Sequence, residues 1–297
     1  MSHTTRGAGP ERALICTHAL VSWSGAELVA LELAEALTAE GVSVDLLCNI
    51  ASPSLRRQFE NSAVAVYEDA TAIDVPSYGL VYCQHQVFSI ALAGALERAR
   101  EANVFPFLVY GHLSPYDPME TPGPFVEPTL SDLVLCNSLE TRDALARLEP
   151  ALQSSRLFRN PAPAGFATAP RPAPGRRPRT LLAVSNHFRE ETLRALDLLE
   201  RQDVSVRRIG RKHESKRVEP QDIARADAVL TIGKTVQYAL VARRPVFCYG
   251  HFGGPGWIDE TNFTEAGDLN FSGRSHPDRL SAEQIAAGVI EGFQSAA

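Results

Sequence analysis

Apolar positions along this chain fall into short runs that alternate with segments of helical spacing. Ala13–Thr17, Val42–Cys48, Gly79–Cys83, Phe105–Tyr110 and Leu130–Cys136 are compact runs bounded by polar or glycine-containing stretches, and they predict buried strands, with Ala63–Tyr67 as a weaker one. Between the first two runs, Leu28, Leu31, Leu33 and Leu37 follow Ser24-Gly-Ala-Glu27 and precede Gly41. A serine with a glutamate three residues on is a capping box, and a glycine after the last apolar position ends a helix. Phe88–Glu101 predicts another apolar helix, and Ser138 caps one running to about Leu148. Alternating strands and helices predict a parallel α/β sheet. Right-handed crossovers then place the strands' carboxyl ends along one edge.

Residues 161–178, PAPAGFATAPRPAPGRRP, hold six prolines and break the pattern. That composition predicts a linker. The domains expected are 12–165, a linker over 166–179, and 180–297. In the second domain, strands are predicted at Thr180–Val184, Val204–Ile209, Ala228–Ile232 and Pro245–Tyr249, with helices at Glu190–Arg201 and Pro220–Arg225. His251-Phe-Gly-Gly-Pro-Gly256 reads as a glycine-rich turn, and the capping box Ser281-Ala-Glu-Gln284 opens a terminal helix to about Phe293.

A length of 297 residues fits two domains, and 44% hydrophobic with 22% charged residues fits a globular protein. A net charge of −6 argues against a nucleic-acid partner. The five cysteines form no C-x-x-C pair, which argues against structural zinc, and each falls in or at the end of a predicted strand. Buried free thiols point to a reducing, cytoplasmic setting. The start, MSHTTRGAGPER, reads as a disordered leader without a hydrophobic signal region, and no apolar run is long enough to span a bilayer. Attachment to a membrane surface stays open.

The chemistry concentrates where the run Ala228–Ile232 meets Gly233-Lys234-Thr235 and then Val236-Gln237 at the start of a helical pattern. A strand, a glycine and a helix start expose amides at the positive end of the helix dipole, and a lysine adds charge: a seat for a diphosphate. An ordinary βαβ turn with an exposed lysine fits the same residues. A Walker A loop does not, because Ala228 stands where its first glycine belongs. The basic loop Gly210-Arg-Lys-His-Glu-Ser-Lys-Arg217 is either a solvated loop or a cation set for a phosphate. His18, His85 and His112 each lie within two residues of the end of a predicted strand, so all three should rim one sheet edge, although a loop histidine alone is ordinarily a surface residue.

SGAELVALELAEALTAEGVSV, SDLVLCNSLETRDAL, RNPAPAGF and GKTVQYALVARRPVF together resemble the GT-B glycosyltransferases, in particular the retaining, sugar-nucleotide-dependent group related to sucrose and mannosyl transferases. The resemblance spans roughly residues 12–258 and implies two Rossmann-like domains facing a central cleft, with a short second domain. It implies metal-independent transfer, without a cofactor, of a sugar from a nucleoside-diphosphate sugar to a glycan, lipid or small-molecule acceptor. Gly25, Asn186, Arg211, Gly233, Lys234, Thr235, Val236 and Gln237 would hold the donor diphosphate. His112, and after it His85, would contact the transferred sugar, with Glu120 as a candidate acceptor-side base. The family's two glutamates beside that last helix fall on Leu230 and Tyr238, and Arg243-Arg244 replaces its glycine before Pro-Val. Gln237 and the GHFGGPG loop would then supply the missing polar contacts. Two alternatives follow from these departures. One is a nucleotide-sugar 2-epimerase, which needs a pair of acid/base carboxylates that the sequence does not single out. The other is a non-catalytic nucleotide-sugar-binding protein.

Overall fold

The computed structural model describes residues 10–85, 97, 99–101, 103–121, 123–168 and 175–296. It divides into two compact units, one of Met1–Ser22, Ala26–Asn137 and Thr141–Leu157, the other of Trp23–Gly25, Ser138–Glu140 and Phe158–Ala297.

Among the described residues the first unit holds a seven-stranded parallel sheet: β1 Arg12–Thr17, β2 Ser43–Cys48, β3 Ala65–Tyr67, β4 Leu80–Gln84, β5 Phe107–His112, β6 Leu133–Cys136 and β7 Arg156–Leu157, ordered β3-β2-β1-β4-β5-β6-β7. Helix α1, Gly25–Ala39, joins β1 to β2. Helix α2, Pro53–Asn61, was not expected; it buries only Leu55 and Phe59, too few apolar positions for a periodic signal, and Ser52 caps it by accepting from the Leu55 amide. The helix expected at Phe88–Glu101 lies outside the described residues except for Glu97 and Ala99–Glu101. Helix α3, Leu139–Leu148, follows Ser138 as expected.

Two strands begin later than their apolar runs do. The ladder of β5 opens where the Phe107 amide donates to Gly79, after Pro106, which has no N–H to give. The strand therefore runs through His112, which pairs with Cys136 and sits inside the sheet instead of in the loop after it. Likewise Leu130 belongs to a helical turn, Glu127–Leu130, with Pro128 in its first turn, and β6 starts at Leu133.

The second unit holds a five-stranded sheet of β8 Thr180–Val184, β9 Ser205–Ile209, β10 Ala228–Thr231, β11 Val246–Gly250 and β12 Gly253–Trp257, ordered β12-β11-β10-β8-β9. All but β12 are parallel. Of the stretch expected as a turn after β11, His251 and Phe252 do form one, but Gly253–Trp257 is this antiparallel edge strand, with a register shift between Cys248 and Gly250. Helices α4 Glu190–Glu200 and α8 Ala282–Glu291 cover one face through Leu196, Leu199, Ile285 and Val289. Helices α5 Pro220–Ala224, α6 Lys234–Val241 and α7 Phe263–Asp268 supply Ile223, Val236, Ala239 and Ala266 to the core on the other face. The capping box of α8 forms: Ser281 Oγ accepts from the Gln284 amide and Gln284 Oε1 from the Ser281 amide.

Part of the proline-rich stretch is packed into this unit. The short turn Ala164–Phe166 buries the Phe166 ring against Tyr238, stacked at 4.2 Å between centroids and 10° between planes. Asn160 donates to Asn270 at 3.1 Å. All five cysteines are buried free thiols, and no helix among the described residues is long and apolar enough to cross a membrane.

Phe166→Ala should destabilise the second unit by about 3–5 kcal/mol, the cost of emptying a buried aromatic site. Denaturant unfolding checks this, and a loss under about 1 kcal/mol would show that the stack is peripheral.

Candidate functional site

The carboxyl edge of the first sheet carries a buried polar cluster. Gln84 and His112 close β4 and β5, and His85 follows Gln84 with a left-handed backbone, φ 57°. The chain beyond β5 turns back through the helical turn Asp117–Glu120, a 3-10 turn at Gly123–Phe125 and the turn Glu127–Leu130. That path brings two carboxylates onto His112. Its Nδ1 lies 2.9 Å from Glu120 Oε2 and its Nε2 lies 2.5 Å from Glu127 Oε2. Glu120 Oε1 accepts from the Leu113 and Ser114 amides at 3.2 and 3.0 Å and from His85 Nδ1 at 3.2 Å. His112 is 1% exposed, Glu120 and Glu127 are 0% exposed, and His85 is 6% exposed, so charges here are screened by protein rather than water.

Burial alone opposes a charge on His112, but the hydrogen bonds to Glu120 and Glu127 outweigh it and raise the ring to about 9. Burial would raise Glu120; the donors His112 and His85 win and hold it down at about 2. At Glu127 burial prevails over the His112 hydrogen bond, and its pKa moves up. The difference lies in donors. Glu120 has four, whereas Glu127 Oε1 is buried without a hydrogen-bond partner among the described residues.

Of the residues expected to act here, His85 and His112 are joined through Glu120, and both His112 nitrogens are engaged by carboxylates. Glu120 is a sealed anchor for two histidines and two amides, not a base facing an acceptor. His18 is exposed and pairs with Asn49 at 3.2 Å. Gly25 is the exposed first residue of α1, and a Cβ there would meet nothing within 4 Å. Glu127 went unnoticed in the sequence. Its one signal is a glutamate before Pro128, a residue pair common in surface turns. Gln84 was also missed; its Nε2 donates to Thr17 Oγ1 at 2.7 Å and to Ala26 at 2.9 Å.

In the second unit, β10 leads through Gly233 into α6. Gly233 has φ 66° and ψ −137°, a backbone that L side chains rarely adopt, while a Cβ there would meet nothing. Conformation, not space, calls for glycine. Lys234 is buried; its ammonium donates to the Pro161 carbonyl at 3.1 Å and lies 5.5 Å from the Tyr238 ring centre. Thr235 and Val236 are buried and Gln237 is half-buried. On the neighbouring strand ends, Asn186 Oδ1 accepts from the Arg211 amide at 3.1 Å, tying the loop after β8 to the one after β9. Arg211 itself is exposed. Part of the basic loop is neutralised: Lys216 pairs with Asp222, and Arg207 beside it pairs with Glu214 and Asp222. Leu230 and Tyr238 are core residues at 1% and 0% exposure, so neither presents a side chain at the protein surface. No group of three or more histidine, cysteine, aspartate or glutamate side chains among the described residues is placed to hold a metal ion.

No protein-family model matches the sequence, and no curated protein matches it. Solved structures do match the fold. The Anabaena protein HepE in complex with UDP-glucose is 14% identical with a TM-score of 0.57, over 96% of this chain and 99% of that one. HepE in complex with UDP gives 14% identity and a TM-score of 0.53, over 96% and 95%. A glycosyltransferase from Rickettsia africae is 10% identical with a TM-score of 0.50, over 96% and 93%. Identities this low establish the fold: the two α/β units are of the GT-B class that the sequence resemblance implied.

The cluster predicts how stability varies with pH. His112 is raised in the fold, so its contribution is complete below about 6.5, the unfolded value, and is lost as pH rises through about 9. Glu120 is lowered, so its contribution is present above the unfolded value and is lost as pH falls through about 2. Unfolding free energy should therefore fall on both sides, with an alkaline slope of up to about 1.4 kcal/mol per pH unit. Denaturant titrations across pH check this. A profile that is flat from neutral pH to beyond 9 would contradict the charged His112.

Proposed function

We propose that this chain is a glycosyltransferase that moves a sugar from a nucleoside-diphosphate sugar to a hydroxyl of a glycan, lipid or small molecule. The observation that carries this reading is the turn from β10 through Gly233 into α6. It places a helix start and a lysine at the carboxyl end of a parallel sheet, where such folds take anionic ligands. HepE, which has the same fold, is known in complex with UDP-glucose.

In this reading Gly233, Lys234, Thr235 and the amides of Val236 and Gln237 hold the diphosphate, with Asn186 and Arg211 from the neighbouring loops and Gly25 from the start of α1. Fixed amides and a buried ammonium stabilise the negative charge that builds on the leaving diphosphate. His85 and His112 serve the sugar. Glu120 orients His85 through Nδ1 and leaves its Nε2 for a substrate hydroxyl, while His112 keeps positive charge behind it. Polysaccharide synthesis at the cytoplasmic side is the setting this chemistry fits.

A second reading has its own observation. A 2-epimerase needs acid/base groups that can pass protons, and the cluster links two histidines through two carboxylates, with His85 at its 6% exposed end. Both readings share nucleoside-diphosphate binding and part at the product. Transfer to an acceptor marks the first; solvent deuterium entering the donor sugar at C2 marks the second.

Isothermal titration with UDP and the other common nucleoside diphosphates should show binding to the wild-type chain, and no binding to any of them at millimolar concentration would end both readings. Lys234→Ala should weaken UDP by about 1.5–3 kcal/mol, the scale of a charged hydrogen bond. Unchanged affinity would make the lysine a structural group, as its hydrogen bond to the Pro161 carbonyl already is. His112→Ala should lower turnover more than it lowers nucleotide affinity, and equal losses in both would make the histidine structural.

A further inference from the structure

We propose that Glu127 is a positioning residue that shares one proton with His112 Nε2, so that Glu127, His112, Glu120 and His85 form a single proton-holding chain ending at His85. Proton counting supports it. Each of the two short gaps on the His112 ring, 2.9 Å to Glu120 and 2.5 Å to Glu127, needs one hydrogen. Glu120, with four donors, is the stable anion, so the first proton resides on Nδ1. Glu127 has no comparable support. Its other oxygen packs toward Gly123, where a Cβ would lie 2.2 Å away, and has no hydrogen-bond partner among the described residues. A full charge on Glu127 is therefore costly, and so is the alternative for the same proton, a neutral carboxyl facing a neutral ring, which leaves the buried Glu120 anion without a cationic partner. The second proton is held in the 2.5 Å gap between them.

Among the described residues, the tyrosines and cysteines facing the cluster remain neutral and do not compete for that proton. Burial raises Tyr82, Tyr110 and Cys136, and a hydrogen bond with Cys16, then burial, raises Cys83. Arg142, on α3, acts on Cys136 as the remaining charge. Among the described residues His85 continues the chain outward, through Glu120 Oε1. A hydrogen bond that His85 gains or loses as substrate binds is felt at Glu120 Oε1, and through Glu120 at His112 Nδ1. Only this last step rests on the glycosyltransferase reading.

The test is nuclear magnetic resonance of the ligand-free chain with isotope-labelled histidine. We expect a far-downfield proton on His112 Nε2 in the wild type, and a His112 titration midpoint well above about 6.5, the value of a free histidine. Glu127→Gln should abolish that resonance and lower the midpoint by about 1–3 pH units, the effect of removing an adjacent opposite charge. A wild-type His112 titrating near the free value, or the same midpoint in the variant, would overturn the proposal. The wild-type spectrum decides even if Glu127→Gln does not fold. In turnover assays the alkaline limb of kcat should move by the same amount while KM for the donor stays within about twofold, as for a group that acts through another; a limb that does not move would also overturn it. A chain with the expected spectrum but no transfer activity would sink the enzyme reading and leave the shared proton standing.

Discussion

A carboxylate removed from water persists as an anion only if donors surround it. Glu120 satisfies that condition with two ring nitrogens and two backbone amides. The arrangement at the carboxyl edge of the first sheet follows from this requirement. The chain after β5 must turn back so that Leu113 and Ser114 present their amides. His112 must end the strand with Nδ1 toward Glu120 Oε2, and His85 must leave β4 in a left-handed conformation to reach Oε1, the oxygen that the two amides bond. Truncating Glu120 would remove more than one hydrogen bond, since three elements converge on it.

The second unit solves the opposite problem, a buried cation. The Lys234 ammonium is held by the Pro161 carbonyl and lies near the face of Tyr238, and Tyr238 is in turn stacked on Phe166. The segment from Pro161 to Phe166 thus orients the lysine at the start of α6. A stretch with the composition of a spacer has become part of the setting of the candidate diphosphate seat.

Most of the fold was legible because α/β architecture writes itself as alternating runs. β8 was predicted at its observed bounds, and the Ser281–Gln284 capping box formed as its spacing required. What the sequence hid was hidden for identifiable reasons. α2 shows only two buried apolar positions, below any periodic threshold. The glycines and the proline of β12 read as a turn, because pairing on an edge is decided by its neighbour β11 and not by propensity. At the site, histidines at strand ends were visible because strand ends are visible. Glu127 was not, because its role depends on a chain reversal over the 15 residues separating it from His112, with no local signature. Leu230 and Tyr238, by contrast, could be read from sequence as positions without the carboxylates that the resemblance implied, and both are core-packing residues.

The last strand of the second sheet has a consequence for the protein in solution. An outer strand that is long, straight and apolar offers its unpaired backbone to any other molecule, which is how sheets grow into aggregates. β12 offers little of this. Glycine at 253, 254 and 256 leaves few side chains to interlock, Pro255 withholds an amide, and the irregular pairing between Cys248 and Gly250 distorts the line of the strand. Recruitment of a second molecule by strand addition is blunted at this rim, so the concentrated protein is guarded there against edge-to-edge assembly.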